Sequence, residues 1–215
     1  MDVLIVGGFL GSGKTTLLLR IAELFTGRGK KVAIIVNESG EVGVDGATIG
    51  SKGYDAVELA EGCICCSLVG SLQATLKEIK RDIDPDIMII EPTGLALPHK
   101  VRQFVHTSMI DEDSCVIIGI ADAERFDSLL ERKENFYRMQ ISASDLVLIN
   151  KIDIVDDTKV SQIETWFKRN YPKIPTIRIS AKTGEGMDLF YKTLDETISG
   201  PEAPVKMILI TSWSI

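Results

Sequence analysis

The stretch GFLGSGKT at residues 8–15 decides the fold of this chain. It matches the pattern G-x-x-x-x-G-K-[ST], in which glycines let the backbone curl so that several N–H groups converge on one anion. The apolar run MDVLIV precedes it, and the amphipathic stretch LLLRIAEL follows it. A strand, a glycine-rich loop and a helix in this order form the context in which the pattern binds phosphate. The stretch therefore predicts a phosphate-binding loop at the start of a nucleotide-binding fold.

Apolar runs and helical stretches alternate along the rest of the chain, and buried parallel strands are typically continuous apolar runs. Strands are predicted at residues 3–6, 32–36, 56–59, 87–90, 116–120, 146–149 and 176–179. Helices are predicted at residues 14–26, 70–81, 98–107, 123–140, 159–169 and 187–198. This alternation predicts an α/β fold of the P-loop NTPase kind, with a mostly parallel, doubly wound sheet flanked by helices.

The same pattern divides the chain into a nucleotide-binding domain over residues 1–199 and a short terminal segment over residues 200–215. That segment begins with GPEAP, which is typical of a linker. The apolar run at residues 205–210 is predicted to be an edge strand or the first strand of a further domain.

Composition narrows the class of protein. A chain of 215 residues is long enough for one hydrophobic core. The formal net charge is −7 and no basic run is present, so the sequence does not indicate a nucleic-acid-binding surface. No apolar stretch approaches the roughly 18 residues of a membrane span. The N-terminus has neither a basic region nor a small-residue cleavage site, so we expect a cytoplasmic protein with no nucleic-acid or membrane partner.

An acidic residue, Glu91, follows the predicted strand at residues 87–90, where ligands of open α/β sheets bind. A carboxylate at this position can hold Mg²⁺ together with the hydroxyl of Thr15, while Lys14 supplies a charge for the β- and γ-phosphates. Gly94 follows shortly after, and its backbone N–H is predicted to sense the γ-phosphate.

The tetrapeptide NKID at residues 150–153 predicts the base. The Asp153 carboxylate can accept hydrogen bonds from the N1–H and the amine of guanine, a donor pair that adenine lacks. Asn150 and Lys151 would brace the loop, and the backbone of SAK at residues 180–182 would meet the guanine oxygen. We therefore expect GTP and GDP as ligands. The predicted nucleotide contacts are Gly8, Gly11, Ser12, Gly13, Lys14, Thr15, Thr16, Gly94, Asn150, Lys151, Asp153, Ser180, Ala181 and Lys182.

Three cysteines, Cys63, Cys65 and Cys66, fall within four positions. In a reducing compartment such a cluster favours metal binding or redox chemistry over a disulfide framework. Thiolates suit zinc and other late transition metals, but a cluster this tight needs further ligands to surround an ion. Glu38, Glu41, a histidine, water or a second protomer would supply them. Small buried apolar residues with free thiols are the alternative.

Taken together, the motifs resemble those of the CobW-like GTPases, which are metallochaperones related to the nickel-insertion GTPases UreG and HypB. The resemblance covers about residues 3–198 and is carried by GFLGSGKTT at 8–16, NE at 37–38, GEVG at 40–43, GCICC at 62–66, EPTG at 91–94 and NKID at 150–153. It implies that Cys63, Cys65 and Cys66 are ligands of Zn²⁺, Co²⁺ or Ni²⁺ and that Glu41 assists. It also implies delivery of the metal to a client protein. Ser39 departs from the family, which commonly has Phe there, and longer members carry a C-terminal domain.

The expected mechanism is a metal-linked GTP switch with slow hydrolysis, since no arginine finger is evident in the sequence. Lys14 and Glu91 are predicted to act in catalysis, and either Glu38 or Asp45 to position the attacking water. A homodimer is one way to complete the cysteine site. The competing hypotheses are a regulatory GTP switch with purely structural cysteines, and a kinase or ATPase, against which Asp153 argues.

Overall fold

A computed structural model describes residues 1–36, 55–58, 68–92, 94 and 96–198, and shows strands and helices in strict alternation. The strands are β1 (Asp2–Gly8), β2 (Val32–Val36), β3 (Asp55–Glu58), β4 (Ile87–Glu91), β5 (Ser114–Asp122), β6 (Leu146–Asn150) and β7 (Thr176–Arg178). The helices are α1 (Lys14–Gly27), α2 (Leu68–Asp82), α3 (Pro98–Thr107), α4 (Phe126–Ile141), α5 (Asp157–Asn170) and α6 (Met187–Ile198), with a 3₁₀ turn at Ile152–Ile154.

Each predicted strand and helix up to residue 198 is present, with ends that shift by a few residues. The predicted helix at 123–140 begins only at Phe126, because a turn intervenes, and the strand predicted to end at residue 120 continues to Asp122. The predicted strand at residues 205–210 lies outside the described residues. In the described part of the chain, no helix is long and apolar enough to cross a membrane.

The described strands form one parallel sheet in the order β3-β2-β4-β1-β5-β6-β7. Alternate residues of β1 point to opposite faces of the sheet. Leu4 packs in the core cluster between the sheet and helices α1 and α6, whereas Ile5 packs in the cluster between the sheet and helices α2 and α3. Helices α4 and α5 cover the same face as α2 and α3 further along the sheet. The prediction of a doubly wound parallel sheet is therefore confirmed.

The site is positioned by β1, which lies between β4 and β5. The chain moves to one side of β1 after α1 and returns to the other side with β5, so the strand order reverses here. As a result, the carboxyl ends of β4, β1, β5 and β6 lie side by side. These strands end at Glu91, Gly8, Asp122 and Asn150.

Helix α6 provides a test of packing at the end of the domain. Phe190 is fully buried, while its neighbour Leu189 is 58% exposed. We expect Phe190→Ala to lower the free energy of unfolding by about 3–5 kcal/mol, because it removes buried apolar surface and leaves a cavity. The matched control, Leu189→Ala, should stay within about 0.5 kcal/mol of the parent. Urea denaturation of both variants checks this, and equal losses would contradict the described packing of α6.

Candidate functional site: a nucleotide cleft at the carboxyl edge of the sheet

The loop between β1 and α1 has the shape expected of a phosphate cradle. Gly11 and Gly13 adopt left-handed backbone angles, with φ of 73° and 98°, and Gly13 caps the N-terminus of α1. A Cβ atom on Gly13 would lie 2.3 Å from the Asn150 side-chain nitrogen. Gly13 is therefore required both for its backbone conformation and for space.

Lys14, Thr15 and Glu91 come together at the base of this loop, as predicted. The Thr15 hydroxyl donates to the Glu91 carboxylate at 3.0 Å (Oε2) and 3.2 Å (Oε1). Lys14 Nζ lies 3.7 Å from Glu91 Oε1, and both side chains are buried. Burial lowers the pKa of Lys14; Glu91 opposes this shift, and the positive charge of Arg125 adds to it. A hydroxyl beside a carboxylate is a set of hard oxygen donors that fits Mg²⁺.

Asn150 joins the phosphate loop to the second predicted motif. Its Nδ2 donates to the Ser12 carbonyl at 2.8 Å, and its Oδ1 accepts from the Ala181 N–H at 2.9 Å. The side chain is 3% exposed, so both hydrogen bonds are shielded from water. The loop that follows β6 is thereby fixed against two others.

A cleft of about 320 Å³ opens between these loops. It is lined by Gly11, Gly13, Thr16, Asn150, Lys151, Asp153, Ile154, Ala181 and Lys182. Asp153 lies exposed on the 3₁₀ turn. Arg20 of α1 donates to the carbonyls of two of these lining residues, Ala181 and, at 2.8 Å, Lys182. The cleft thus brings a carboxylate, the phosphate loop and the loop after β7 together.

Gly94 lies close to the phosphate loop, since a Cβ atom there would be 2.8 Å from the Leu10 nitrogen. Its carbonyl accepts a hydrogen bond from Gln140 Nε2 at 2.7 Å. Gln140 belongs to α4, and no sequence pattern connects it to residue 94.

Asp122 and Arg125 also lie beside the phosphate loop, and neither is among the residues that the sequence predicts for the site. Arg125 donates to Asp122 Oδ2 at 2.7 Å and to the Leu10 carbonyl at 2.6 Å. One signal in the sequence points to Asp122, because it ends a buried strand, as Glu91 and Asn150 do. The predicted strand stops two residues too early to include it.

The predicted metal and water-positioning residues lie outside the described residues. They are Glu38, Glu41, Asp45, Cys63, Cys65 and Cys66. Within the ranges that the structure describes, no group of three or more His, Cys, Asp or Glu side chains is placed to hold a metal ion.

Comparisons with known proteins identify the family of this chain. Residues 2–178 match the family model described as CobW/HypB/UreG, nucleotide-binding domain. A Sinorhizobium protein named zinc chaperone CobW is 29% identical over 211 residues, which cover 84% of this chain and 59% of that protein. The zinc chaperone YeiR of Escherichia coli (strain K12) is 33% identical over 169 residues, which cover 77% of this chain and 51% of YeiR.

A solved structure, HypB from Helicobacter pylori in complex with nickel, superposes with a TM-score of 0.67. It is 22% identical, and the match covers 93% of this chain and 87% of that one. At this identity the likeness shows the fold. The chain spans little more than half the length of the two zinc chaperones.

The contact between Gly13 and Asn150 can be tested by a pair of glycine substitutions. Gly29 has a left-handed φ of 74° and nothing within 4 Å of the position that a Cβ atom would take, whereas a Cβ atom on Gly13 would clash with Asn150. Gly29→Ala should cost about 1–2 kcal/mol of unfolding free energy from the backbone conformation, and Gly13→Ala distinctly more. Urea denaturation measures both, and equal costs would contradict the described approach of Asn150.

Proposed function

Because this chain belongs to the CobW/HypB/UreG family of nucleotide-binding domains, we propose that it binds GTP, hydrolyses it slowly and uses it to control delivery of a transition metal to a client protein. The observation that carries the nucleotide half is the Asn150 side chain, which holds the phosphate loop against the SAK loop across the cleft. The metal half is supported by the relatives and by the cysteine motif.

GTP is favoured over ATP by the position of Asp153. This carboxylate lines the same cleft as the phosphate loop and the backbone of Ala181 and Lys182. Guanine presents two donors that a carboxylate accepts and a carbonyl oxygen that a backbone N–H meets, whereas adenine presents neither set. The proposed nucleotide contacts are the fourteen residues from Gly8 to Lys182 that the sequence predicts.

The phosphate end would hold Mg²⁺ through Thr15 and Glu91. The ion, when bound, would neutralise charge on the phosphate oxygens. Lys14 would contribute a second positive charge, since its ammonium donates to the Phe9 carbonyl of the loop at 3.4 Å and lies 3.7 Å from Glu91 Oε1. Glu38 or Asp45 is proposed to position the attacking water. Slow turnover is expected because no arginine finger is evident in the sequence.

The metal is proposed to be cargo, bound by Cys63, Cys65 and Cys66 with help from Glu41. The names of two relatives favour Zn²⁺, and the nickel complex of HypB makes Ni²⁺ a second candidate; Co²⁺ fits the same thiolate chemistry. A homodimer would complete the coordination shell across a two-fold axis. Thiols of this kind persist in the reducing cytoplasm, which is the proposed compartment.

Residues 1–199 are proposed to be the GTPase domain. The last described helix, α6, ends at Ile198 and packs into the core through Phe190 and Leu194. Residues 200–215 would then act as a linker and terminal strand.

Base selection is tested by Asp153→Asn. An asparagine would lose the pair of accepted hydrogen bonds from guanine but could donate to the extra carbonyl of xanthine. We expect GTP affinity to fall at least about tenfold and XTP affinity to rise, as measured by calorimetry. Asp156→Asn is the matched control, because Asp156 caps α5 by accepting from Lys159 N at 2.8 Å and Asn caps equally well. Unchanged GTP and XTP binding in Asp153→Asn would refute the base assignment.

Metal coupling is tested by replacing Cys63, Cys65 and Cys66 together with Ser. We expect zinc bound in the presence of a non-hydrolysable GTP analogue to be lost, while nucleotide affinity is retained. Cys115→Ser is the control: burial raises the pKa of the Cys115 thiol to about 12, so it stays protonated and is a poor ligand. Metal analysis of the purified proteins provides the measurement. Full zinc binding by the triple variant would refute the assignment of these cysteines as the metal ligands.

A further inference from the structure

The Asp122 side chain lies buried at the end of β5 and is shared between two loops. Its Oδ2 accepts from Arg125 Nε at 2.7 Å and lies 2.8 Å from Lys151 Nζ. Its Oδ1 accepts from the backbone N–H groups of Glu124 at 3.1 Å and Arg125 at 3.3 Å. A buried carboxylate with this many donors is held in one orientation, so it fixes the position of both cations.

Arg125 connects Asp122 to the phosphate loop. While its Nε contacts Asp122, its Nη2 donates to the Leu10 carbonyl at 2.6 Å. In a trans peptide the carbonyl and the following N–H point in opposite directions. The Leu10 carbonyl faces Arg125, so the Gly11 N–H faces the other side of the peptide plane. Arg125 therefore sets the direction of a backbone donor in the phosphate cradle.

Lys151 connects Asp122 to the base loop, which is the loop after β6 that contains Asp153. Its backbone is left-handed, with φ of 69°, which is unfavourable for a residue other than glycine. Its ammonium is held by Asp122 and, at 3.1 Å, by Glu124 Oε2. These ion pairs help to offset the cost of the backbone conformation two residues before Asp153.

We propose that Asp122 is a positioning residue of the nucleotide site, acting through Arg125 on the phosphate loop and through Lys151 on the base loop. Through these two cations the carboxylate holds both loops in their binding arrangement before the ligand arrives. A site arranged in advance loses less conformational entropy on binding, so the gain appears as nucleotide affinity. This inference rests on the proposed function, because the ligand is a guanine nucleotide.

The first test isolates the effect of Arg125 on the phosphate loop from the effect of Lys151 on the base loop. Arg125→Met removes the guanidinium but keeps an unbranched apolar side chain. We expect GDP and GTP affinity to fall about tenfold, since a hydrogen bond that orients a phosphate donor is lost. The preference for GDP over XDP should not change, because the base loop keeps its Lys151–Asp122 pair. Arg28→Met is the matched control: the Arg28 and Arg125 side chains are both 41% exposed and each pairs with an Asp.

A double-mutant cycle tests whether Asp122 acts through Arg125. Asp122→Asn should weaken GDP more than Arg125→Met does, because it releases both cations. Adding Arg125→Met to Asp122→Asn should then cause less than about a twofold further loss, because the arginine is no longer oriented. Additive losses would overturn the positioning role of Asp122. Should Asp122→Asn fail to fold, the single Arg125→Met variant still tests whether Arg125 positions the phosphate loop for nucleotide binding.

Thermal unfolding of the nucleotide-free proteins separates positioning from stability. A purely structural role predicts a lower melting temperature for Arg125→Met with GDP affinity within about twofold of the parent, and this result would overturn the proposal. If the parent protein binds no guanine nucleotide, the proposed function fails instead. If the parent binds and Arg125→Met binds equally well, only the positioning role fails.

Discussion

The side-chain amide of Asn150 sets the distance between the parts of the site. Its nitrogen holds the Ser12 carbonyl of the phosphate loop, and its oxygen holds the Ala181 N–H of the loop after β7. A buried amide that used only one of these groups would leave the other unpaired at a cost of about 1–3 kcal/mol. Both bonds are therefore made together, and the cleft has a fixed width. The glycine at position 13 follows from this contact, because the amide nitrogen occupies the space of a Cβ atom.

Two buried carboxylates flank the strand that carries the phosphate loop. Glu91 ends β4 on one side of β1, and Asp122 ends β5 on the other. Each faces a cation beside the loop: Lys14 for Glu91 and Arg125 for Asp122. Burying a carboxylate without a partner is costly, and these cations supply one for Glu91 and for Asp122. The sheet therefore provides a site whose cations are held in place without requiring the ligand.

Much of this arrangement could be predicted from the sequence, because it depends on local patterns. The pairing of Thr15 with Glu91 follows from a glycine-rich loop after one buried strand and an acidic residue after another. The place of Asn150 follows from a tetrapeptide at the end of a third strand. In each case the parallel sheet brings the strand ends to one edge. Residues distant in sequence therefore meet there, although no sequence pattern links them directly.

The role of Arg125 could not be predicted in this way. Its contact with the Leu10 carbonyl joins residues 115 positions apart, and the sequence pattern predicts a continuous helix over residues 123–140 in which residue 125 has no special place. The structure shows a turn there, stabilised by Asp122 accepting from two backbone N–H groups. Asx turns of this kind compete with helix formation, which explains the late helix start. The position of Arg125 beside the phosphate loop therefore depends on a turn. Turns are the elements that sequence patterns predict least well.

Helix α4 connects the two loops that would surround the terminal phosphate. Tyr137 stacks on Phe9 of the phosphate loop, with ring centroids 5.9 Å apart, and Gln140 holds the Gly94 carbonyl one turn later. Gln140 is 2% exposed, so its bond to Gly94 is shielded from water. A displacement of the turn at Gly94 must therefore break this bond or move α4 with it. Because Tyr137 of the same helix also packs against Phe9, a displacement of the turn at Gly94 that moves α4 would disturb the phosphate loop as well.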